Sequence, residues 1–257
     1  MTNADRMTNV EKAATDGVRH SGFVIDSSFV IRLPRRSPAK AGHSSFAKRR
    51  AFTVIELVVV VAIILILAGL VLSTAGYARK KGARARAETE IAAMSAACEN
   101  YKADNAVYPR DPTANTATDA LNARTMGDPV NANAALYKTA SLVLYRALSG
   151  DRNLDRSVNA ADEAINIDGS TLGTPLTQPP QTYLRFKPNM LNPADQTQTV
   201  QYIQDPFGNS YGYSTANQAN PNNGYNPTFD LWSTAGLTTN PPSSGTDTIT
   251  PQWIKNW

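Results

Sequence analysis

The sequence predicts an α+β fold in which a long N-terminal membrane-spanning helix packs on a small antiparallel β-sheet and a second helix is inserted in the middle of the chain. Three observations predict it. An apolar run occupies residues 52–77, an amphipathic helical repeat continues to about residue 105, and short strand-like segments separated by Pro and Gly begin near Thr171. This order of elements is typical of one α+β domain on a membrane helix.

The apolar run is long enough to cross a membrane. Leu57 to Leu72 contain no polar side chain, and Glu56 is the only charged residue between Phe52 and Tyr77. About 20 residues of α-helix span the roughly 30 Å hydrocarbon core of a bilayer. The Val and Ile content would favour strands in water, but in lipid the backbone must satisfy its own hydrogen bonds. Residues 52–77 are therefore predicted to form a transmembrane helix.

A cleaved secretory signal and an ordinary signal-anchor helix are the two alternatives for this run. The run is longer than the usual 7–15 residues of a signal peptide's apolar region, and Arg79-Lys80-Lys81 follow it. Glu56 argues against both alternatives. A charged side chain inside a membrane helix is costly, and its presence indicates a functional role.

The segment after the apolar run is amphipathic. Its apolar residues recur every three or four positions and form one stripe, made of Ala87, Ile91, Met94, Cys98 and Tyr101. The spacing predicts that the helix continues to about Asn105, with Cys98 in the core rather than acting as a reactive thiol.

A second helix is predicted over Ala134–Leu148, with Gly150 as its stop. Beyond Thr171 the pattern is that of short strands. The candidates are Thr182–Lys187, Thr199–Ile203, Tyr211–Ser214 and Phe229–Ser233.

Charge is distributed unevenly along the chain. The sequence has 25 Lys and Arg against 21 Asp and Glu, but residues 1–51 hold ten of the basic residues and only four of the acids. From Ala87 to the end there are 10 basic and 16 acidic residues. The folded part is therefore acidic, and binding to nucleic acid is not expected.

Catalysis is not expected either. Both histidines, His20 and His43, precede Phe52, and Cys98 is the single cysteine. A chain that begins at Phe52 would have no histidine, which excludes Ser-His-Asp and Cys-His catalysis and the usual zinc sites. No carboxylate pair stands out as an alternative. The sequence therefore predicts a protein that is not an enzyme.

The start of the apolar run carries a family resemblance. Residues 48–57 read KRRAFTVIEL: basic residues, a small residue, Phe-Thr, two apolar residues, Glu, and then the apolar run. This resembles the type IV prepilin signature. The resemblance implies that prepilin peptidase removes residues 1–51 by cutting between Ala51 and Phe52, and that the new amine of Phe52 is methylated. The family usually has Gly where this chain has Ala51, which is expected to slow cleavage without abolishing it.

The same resemblance implies an assembly role for Glu56. After cleavage its carboxylate can pair with the N-terminal amine of a neighbouring subunit, and an unpaired buried charge is strongly unfavourable, so the pair would set the register of a filament. The implied location is the inner membrane, crossed once, with the N-terminus in the cytoplasm and residues 78–257 in the periplasm. The greater number of basic residues before the run favours this orientation weakly.

Three segments in the C-terminal half resemble one particular group of pilin-like proteins. DPFGNSYGYS (205–214), FDLWSTAG (229–236) and WIKNW (253–257) resemble the major pseudopilins of type II secretion systems. This implies a pilin-like domain, and self-association into a periplasmic filament with other pseudopilins and inner-membrane secretion components as partners. Residues 106–198 are longer than in that family and are interpreted as an insertion.

Other functions remain open at this point. A type IV pilin or a minor pseudopilin belongs to the same class, although the single cysteine argues mildly against pilins with a C-terminal disulfide. A membrane-tethered, calcium-dependent binding module is an alternative from another class, and an anchored hydrolase is a third.

Two segments are candidate calcium sites. The first, residues 151–162, resembles an EF-hand-type loop of the dockerin variant, with Arg156 where Gly usually allows the sharp turn. A surface loop closed by Asx-turns is the alternative. Its candidate ligands at loop positions 1, 3, 5, 9 and 12 are Asp151, Asn153, Asp155, Asn159 and Asp162.

The second candidate follows from the pseudopilin resemblance, since those proteins bind calcium in the loop after the FDLWS-like strand. This chain has few acids there, and Asp247 is the one carboxylate that is available. One carboxylate with backbone carbonyls would make at best a weak site.

Overall fold

The computed structural model describes residues 52–110, 117–242 and 246–257. The predicted leader, residues 1–51, lies outside the described residues, and so does Ala51 at the predicted cut. The structure has the predicted α+β architecture, with one long apolar helix followed by a second helix and small antiparallel sheets.

Helix α1 spans Val54–Asn105 without interruption, so the apolar run and the amphipathic repeat form one element of 52 residues. It ends where Ala106 adopts a left-handed conformation with φ of 62°. Its apolar half is exposed, and its C-terminal half is buried along the predicted stripe. That stripe consists of Ala87, Glu90, Ile91, Met94, Ala97, Cys98 and Tyr101.

Helix α2 spans Ala134–Ser149 and packs between α1 and the strands. Gly150 ends it at φ of 82°, and a Cβ there would lie 2.9 Å from the carbonyl oxygen of Pro180. Only glycine combines this φ with that close approach at little cost. A four-residue helix, α3, spans Ala216–Ala219. Three 3₁₀ turns lie at Ala160–Ala164, Pro188–Met190 and Thr250–Gln252.

The strands form two antiparallel sheets. Strand β1 (Leu191–Asn192) pairs with β2 (Tyr202–Ile203). The second sheet has the order β3-β4-β5, where β3 is Gly212–Ser214, β4 is Asp230–Ser233 and β5 is Ile254–Lys255.

Two of the four predicted strands, Tyr211–Ser214 and Phe229–Ser233, are confirmed in their main part, and Thr199–Ile203 is a strand only at Tyr202–Ile203. The fourth, Thr182–Lys187, is wrong: the amides of Tyr183 and Leu184 both donate to the carbonyl of Leu148, at 2.7 and 2.9 Å, instead of to a partner strand. This segment runs as an irregular strap across the end of α2.

The core lies between the buried stripe of α1, helix α2 and the strands. Cys98 is fully buried within it, and this burial raises the pKa of its thiol. A thiol that is both buried and protonated packs as a small apolar side chain. The prediction that Cys98 is a core residue is confirmed.

Candidate functional site

The start of α1 is closed by a capping box between Thr53 and Glu56. The Glu56 amide donates to the Thr53 hydroxyl at 3.3 Å. In return, Oε2 of Glu56 accepts from the Thr53 amide at 2.8 Å and from the Thr53 hydroxyl at 2.9 Å. The pattern Thr-x-x-Glu before an apolar run is a sequence signal for this cap, which is not among the features predicted above.

The cap leaves Glu56 with spare accepting capacity. Within the described residues, its second oxygen, Oε1, has no hydrogen-bond partner. The positive end of the helix dipole lies at the same turn and favours a carboxylate there. Glu56 is thus held at a fixed place at the helix start, with one oxygen available to a further cation.

The side chains that follow Glu56 make an uncovered apolar surface. Phe52 is 81% exposed and Leu72 is 75% exposed, and the large apolar side chains between them are exposed as well. By length and composition, α1 is the one helix in the described ranges that could cross a membrane. Such a surface is stable only in contact with lipid or with other apolar helices.

A cluster around the buried Glu90 joins α1 to the C-terminal region. The Nε of Arg86 donates to Oε1 of Glu90 at 2.6 Å, and the hydroxyl of Tyr211 donates to Oε2 at 2.7 Å. Burial, together with the charge of Glu90, raises the pKa of Tyr211, so the phenol remains a donor. Tyr211 belongs to the DPFGNSYGYS segment, which is therefore fixed directly to the helix.

The turn at Asp205 is built around its buried carboxylate. Oδ1 accepts from the amides of Phe207 and Asn209, at 3.0 and 2.8 Å, and Oδ2 accepts from the hydroxyl of Ser233 at 2.5 Å. Burial raises the pKa of Asp205 although these hydrogen bonds act in the opposite direction. Segments 205–214 and 229–236 are thus connected by this side chain.

Aromatic side chains fix the remaining part of the tail. The indole of Trp232 donates to the hydroxyl of Tyr137 at 2.9 Å, and that hydroxyl donates to the carbonyl of Met126 at 2.9 Å. Trp253 stacks on Trp232 with their ring centroids 5.9 Å apart. Trp232 of β4 therefore connects to α2 and to the loop before it, and Trp253 packs on Trp232.

The loop over residues 151–162 closes on its own backbone. Oδ1 of Asp151 accepts from the amide of Asp155 and Oδ2 accepts from the amide of Arg156, at 3.1 and 2.8 Å. The Asn153 and Asn159 side chains each accept from the amide two residues later, at 2.9 and 2.8 Å. These are Asx-turns, the arrangement that the alternative interpretation expected.

Asp162 closes the loop from its other end. Oδ1 accepts from the amides of Arg152 and Asn153, at 2.6 and 2.8 Å, while Oδ2 accepts from the amide of Asn159 at 2.8 Å. In the part of the chain that the structure describes, no three His, Cys, Asp or Glu side chains are gathered closely enough to hold a metal. The structure therefore brings the five predicted ligands into one loop without converging their carboxylates.

Arg156 takes the conformation that glycine would take. Its φ is 73°, in the left-handed region where non-glycine residues are strained. Its guanidinium points out of the loop and donates to the carbonyls of Gln198 and Pro193, at 2.8 and 2.6 Å.

Burial and the nearby charges of Asp162 and Asp155 raise the pKa of Asp151.

Asp247 caps a 3₁₀ turn. Its Oδ1 accepts from the amides of Ile249 and Thr250, at 2.9 and 3.1 Å, and its Oδ2 accepts from the Thr250 hydroxyl. The structure thus gives Asp247 a local role, and calcium at this position stays a prediction.

Comparison with known proteins identifies the N-terminal region. Residues 46–72 match the family model of the prokaryotic N-terminal methylation motif. No curated protein and no solved structure matches the chain significantly. The matched range contains Phe52, Glu56 and most of the exposed apolar surface. The match supports the conclusion that the chain is a type IV pilin-like protein. The motif implies processing by prepilin peptidase and pilus-type assembly, and it is typical of structural rather than catalytic proteins.

Proposed function

We propose that the chain is a pseudopilin, a structural subunit of the periplasmic filament that drives type II protein secretion. It is processed between Ala51 and Phe52, methylated at Phe52 and assembled through α1. The observation that carries this proposal is the exposed apolar surface of α1 with a single carboxylate, Glu56, at its start. The match to the methylation motif over residues 46–72 supports it.

The apolar surface suits two successive environments. Before assembly it lies in the lipid of the inner membrane, with the N-terminus in the cytoplasm and residues 78–257 in the periplasm. In the filament the same surface packs against the α1 helices of neighbouring copies. Both environments remove the apolar side chains from water, so no other change in the subunit is needed to cover them.

Glu56 gives this assembly its register. The free oxygen Oε1 would accept from the N-terminal amine of Phe52 in a neighbouring subunit, while Oε2 stays on Thr53. Between apolar helices an unpaired charge is strongly unfavourable, so only the stagger that forms the pair is stable. A single charged pair per subunit then specifies how far each helix is displaced along the next.

The C-terminal half favours a pseudopilin over its nearest alternatives, a type IV pilin or a minor pseudopilin. The connection of Asp205 to Ser233 joins the two segments that carry the resemblance. The only cysteine, Cys98, is buried in α1. The C-terminal residues are therefore held on β4 by the stacking of Trp253 on Trp232 and not by a disulfide.

Calcium at the Asp151 loop belongs to the proposal. A carboxylate oxygen has two lone pairs and can accept a backbone amide while binding a cation. Asp151 accepts from the amide of Asp155, and Asp155 accepts from the amide of Ser157. Arg156 has the left-handed φ of 73° at the position where an EF-hand loop has Gly. The same loop supports the second candidate function, a membrane-tethered binding module that uses calcium for recognition.

Intact mass and N-terminal sequencing of the membrane-extracted protein test the main proposal. A chain that starts at N-methylated Phe52 is the expected result. A chain that starts at Met1, or one that is cut after the apolar run as by signal peptidase, would contradict it. Retention as a monomer in the membrane after correct processing would favour the binding module.

A further inference from the structure

A groove of about 580 Å³ lies where α1 leaves its apolar run and meets the C-terminal region. One wall is a single face of the helix, because Tyr77, Lys80, Lys81 and Arg84 are spaced three and four residues apart. The opposite wall comes from the turn after Asp205, the loop after β4 and the 3₁₀ turn at Thr250–Gln252. Neither the methylation motif nor the filament role accounts for this groove.

The groove is strongly cationic. Of the residues that line it, three are basic and none is acidic. Arg84 is held in place, since it donates to the carbonyls of Gln252 and Trp253 at 2.9 and 3.3 Å, and it lies 3.6 Å from the exposed Glu88. Lys80 and Lys81 are exposed and form no ion pair with any described residue. Two uncompensated ammonium groups therefore face a cleft that has no anion of its own.

The opposite wall is apolar. Phe207, Ala235 and Leu237 are partly buried against the two core clusters, and each keeps part of its surface towards the groove. Tyr77, on the helix side, is 72% exposed. The groove thus has the double character of an amphiphile site, with cations on one side and aromatic and aliphatic surface on the other.

With the hydrocarbon boundary taken at Leu72, the groove begins at the outer edge of the headgroup layer. Tyr77 lies five residues beyond Leu72 and Lys80 eight, which is about 8 Å and 12 Å along the helix. The headgroup layer extends roughly 5–8 Å beyond the hydrocarbon on each side. Tyr side chains concentrate at this level, and the long Lys side chains near helix ends reach back to it.

We propose that this groove binds an anionic phospholipid of the membrane that α1 spans. Lys80 and Lys81 pair with the headgroup phosphate, Arg84 fixes the inner end of the cationic wall, and Phe207 supplies apolar surface beside the headgroup. The proposal rests on the membrane span of α1 and goes beyond the filament role, because it gives the unassembled subunit a lipid partner and a fixed height in the bilayer.

Native mass spectrometry of the full-length chain tests it. The protein is released from nanodiscs that contain phosphatidylglycerol diluted in phosphatidylcholine, and the lipids that stay bound are counted. The wild type should retain phosphatidylglycerol over phosphatidylcholine. Lys80→Gln and Lys81→Gln should each lower that preference by about tenfold, because each variant loses one charge-assisted hydrogen bond to the headgroup phosphate. Gln keeps the helix propensity of Lys, so folding should not change.

Arg79→Gln is the matched control. Arg79 lies at the same height and carries the same charge, but it does not line the groove. It should leave the retained phosphatidylglycerol within twofold of wild type. If Arg79→Gln lowers the retention of phosphatidylglycerol as much as the lysine variants do, the lipid is held by diffuse attraction to the basic surface. If the wild type retains both lipids equally, the groove is not an anion site. A third outcome is a lysine variant that shifts the spectrum from oligomer to monomer without changing lipid retention. That result would mean that the groove contacts a second copy of the chain and not a lipid. Each of these three results overturns the proposal.

Discussion

Glu56 combines two physical roles that a substitution can separate. Its carboxylate caps the helix through Thr53, and it is the one ionisable group in an otherwise apolar surface. The capping role needs a side chain of the right length that accepts a hydrogen bond, and Gln meets that need as well as Glu. The proposed pairing with a neighbouring amine needs the negative charge.

Glu56→Ala and Glu56→Gln should therefore both be cut before Phe52, and both should assemble poorly. The expected loss of filament in each is tenfold or more, because either variant leaves the incoming amine unpaired among apolar helices. Filaments are measured by electron microscopy and by shearing yield, with N-terminal sequencing as the processing control. Wild-type assembly by Glu56→Gln would assign the residue to capping alone.

Asp205 should make stability depend on pH. Its pKa is raised above the ordinary value of 3.8, first by burial. The folded state therefore binds this proton more tightly than the unfolded state, so the contribution to stability is present at low pH and is lost as pH rises through the folded pKa. Asp205→Asn removes this titration. The difference in Tm, wild type minus Asp205→Asn, should be larger at pH 4 than at pH 7, measured by thermal unfolding of the full-length chain in detergent.

Asp195→Asn provides the opposite sign as a control. The amide and hydroxyl of Thr197 lower the pKa of this exposed carboxyl. Its contribution is present above the unfolded pKa and fades as pH falls, so the corresponding difference in Tm should shrink on acidification. A pH-independent difference for Asp205→Asn would contradict the account of its burial.

Among the secondary-structure elements, the pairing of β3 with β4 depends on one glycine. Gly212 lies opposite Trp232 in the register, and a Cβ at Gly212 would overlap the Trp232 indole. The indole is fully buried and donates to Tyr137, so it has little room to move.

Gly212→Ala should lower the free energy of unfolding by about 1–3 kcal/mol or more, as expected for overpacking of a closed core. Gly173→Ala is the control, because a Cβ at Gly173 meets nothing within 4 Å. Its effect should stay within about 0.5 kcal/mol. Urea denaturation followed by tryptophan fluorescence measures both, and equal stabilities would show that Trp232 can move aside.

The loop over 151–162 is the second element with a clear test. If calcium binds there, it should raise the stability of the folded chain by about 2–3 kcal/mol at a hundredfold excess over Kd. Asp151→Ala should abolish this gain, and Asp155→Asn, which alters an exposed carboxylate, should reduce it without disturbing the core. Asp168→Asn, just outside the loop, should keep it. A Tm that does not respond to calcium, or a response that persists in Asp151→Ala, would reject the site.

How well sequence predicts an element depends on where its hydrogen bonds go. The two long helices satisfy their backbone locally and bury a periodic stripe, and so their bounds were predicted almost to the residue. The segment Thr182–Lys187 has strand composition, yet its amides bond to the end of α2. Strand β5 has only two residues, too few to show alternation, and it was not predicted.

For the candidate site, the sequence located the residues whose context is local. Phe52 and Glu56 stand out because one charge interrupts an apolar run, and residues 151–162 stand out by spacing. The cluster of Arg86, Glu90 and Tyr211 could not be predicted, since its members are separated by up to 125 positions in the chain and meet only after folding. The groove beside Lys80 has the same origin.

At the scale of the whole molecule, α1 couples the membrane to the domain without an intervening joint. It extends for about 78 Å as one hydrogen-bonded rod, and its last turns are the wall of the hydrophobic core. A load applied at Phe52 therefore travels along the helix axis and reaches the core as shear against α2 and the strands. The hydrogen bonds of Arg84 to the Gln252 carbonyl and of Tyr211 to Glu90 join α1 to the C-terminal region. We therefore expect a displacement of Phe52 along the helix axis to be transmitted to the core of the domain.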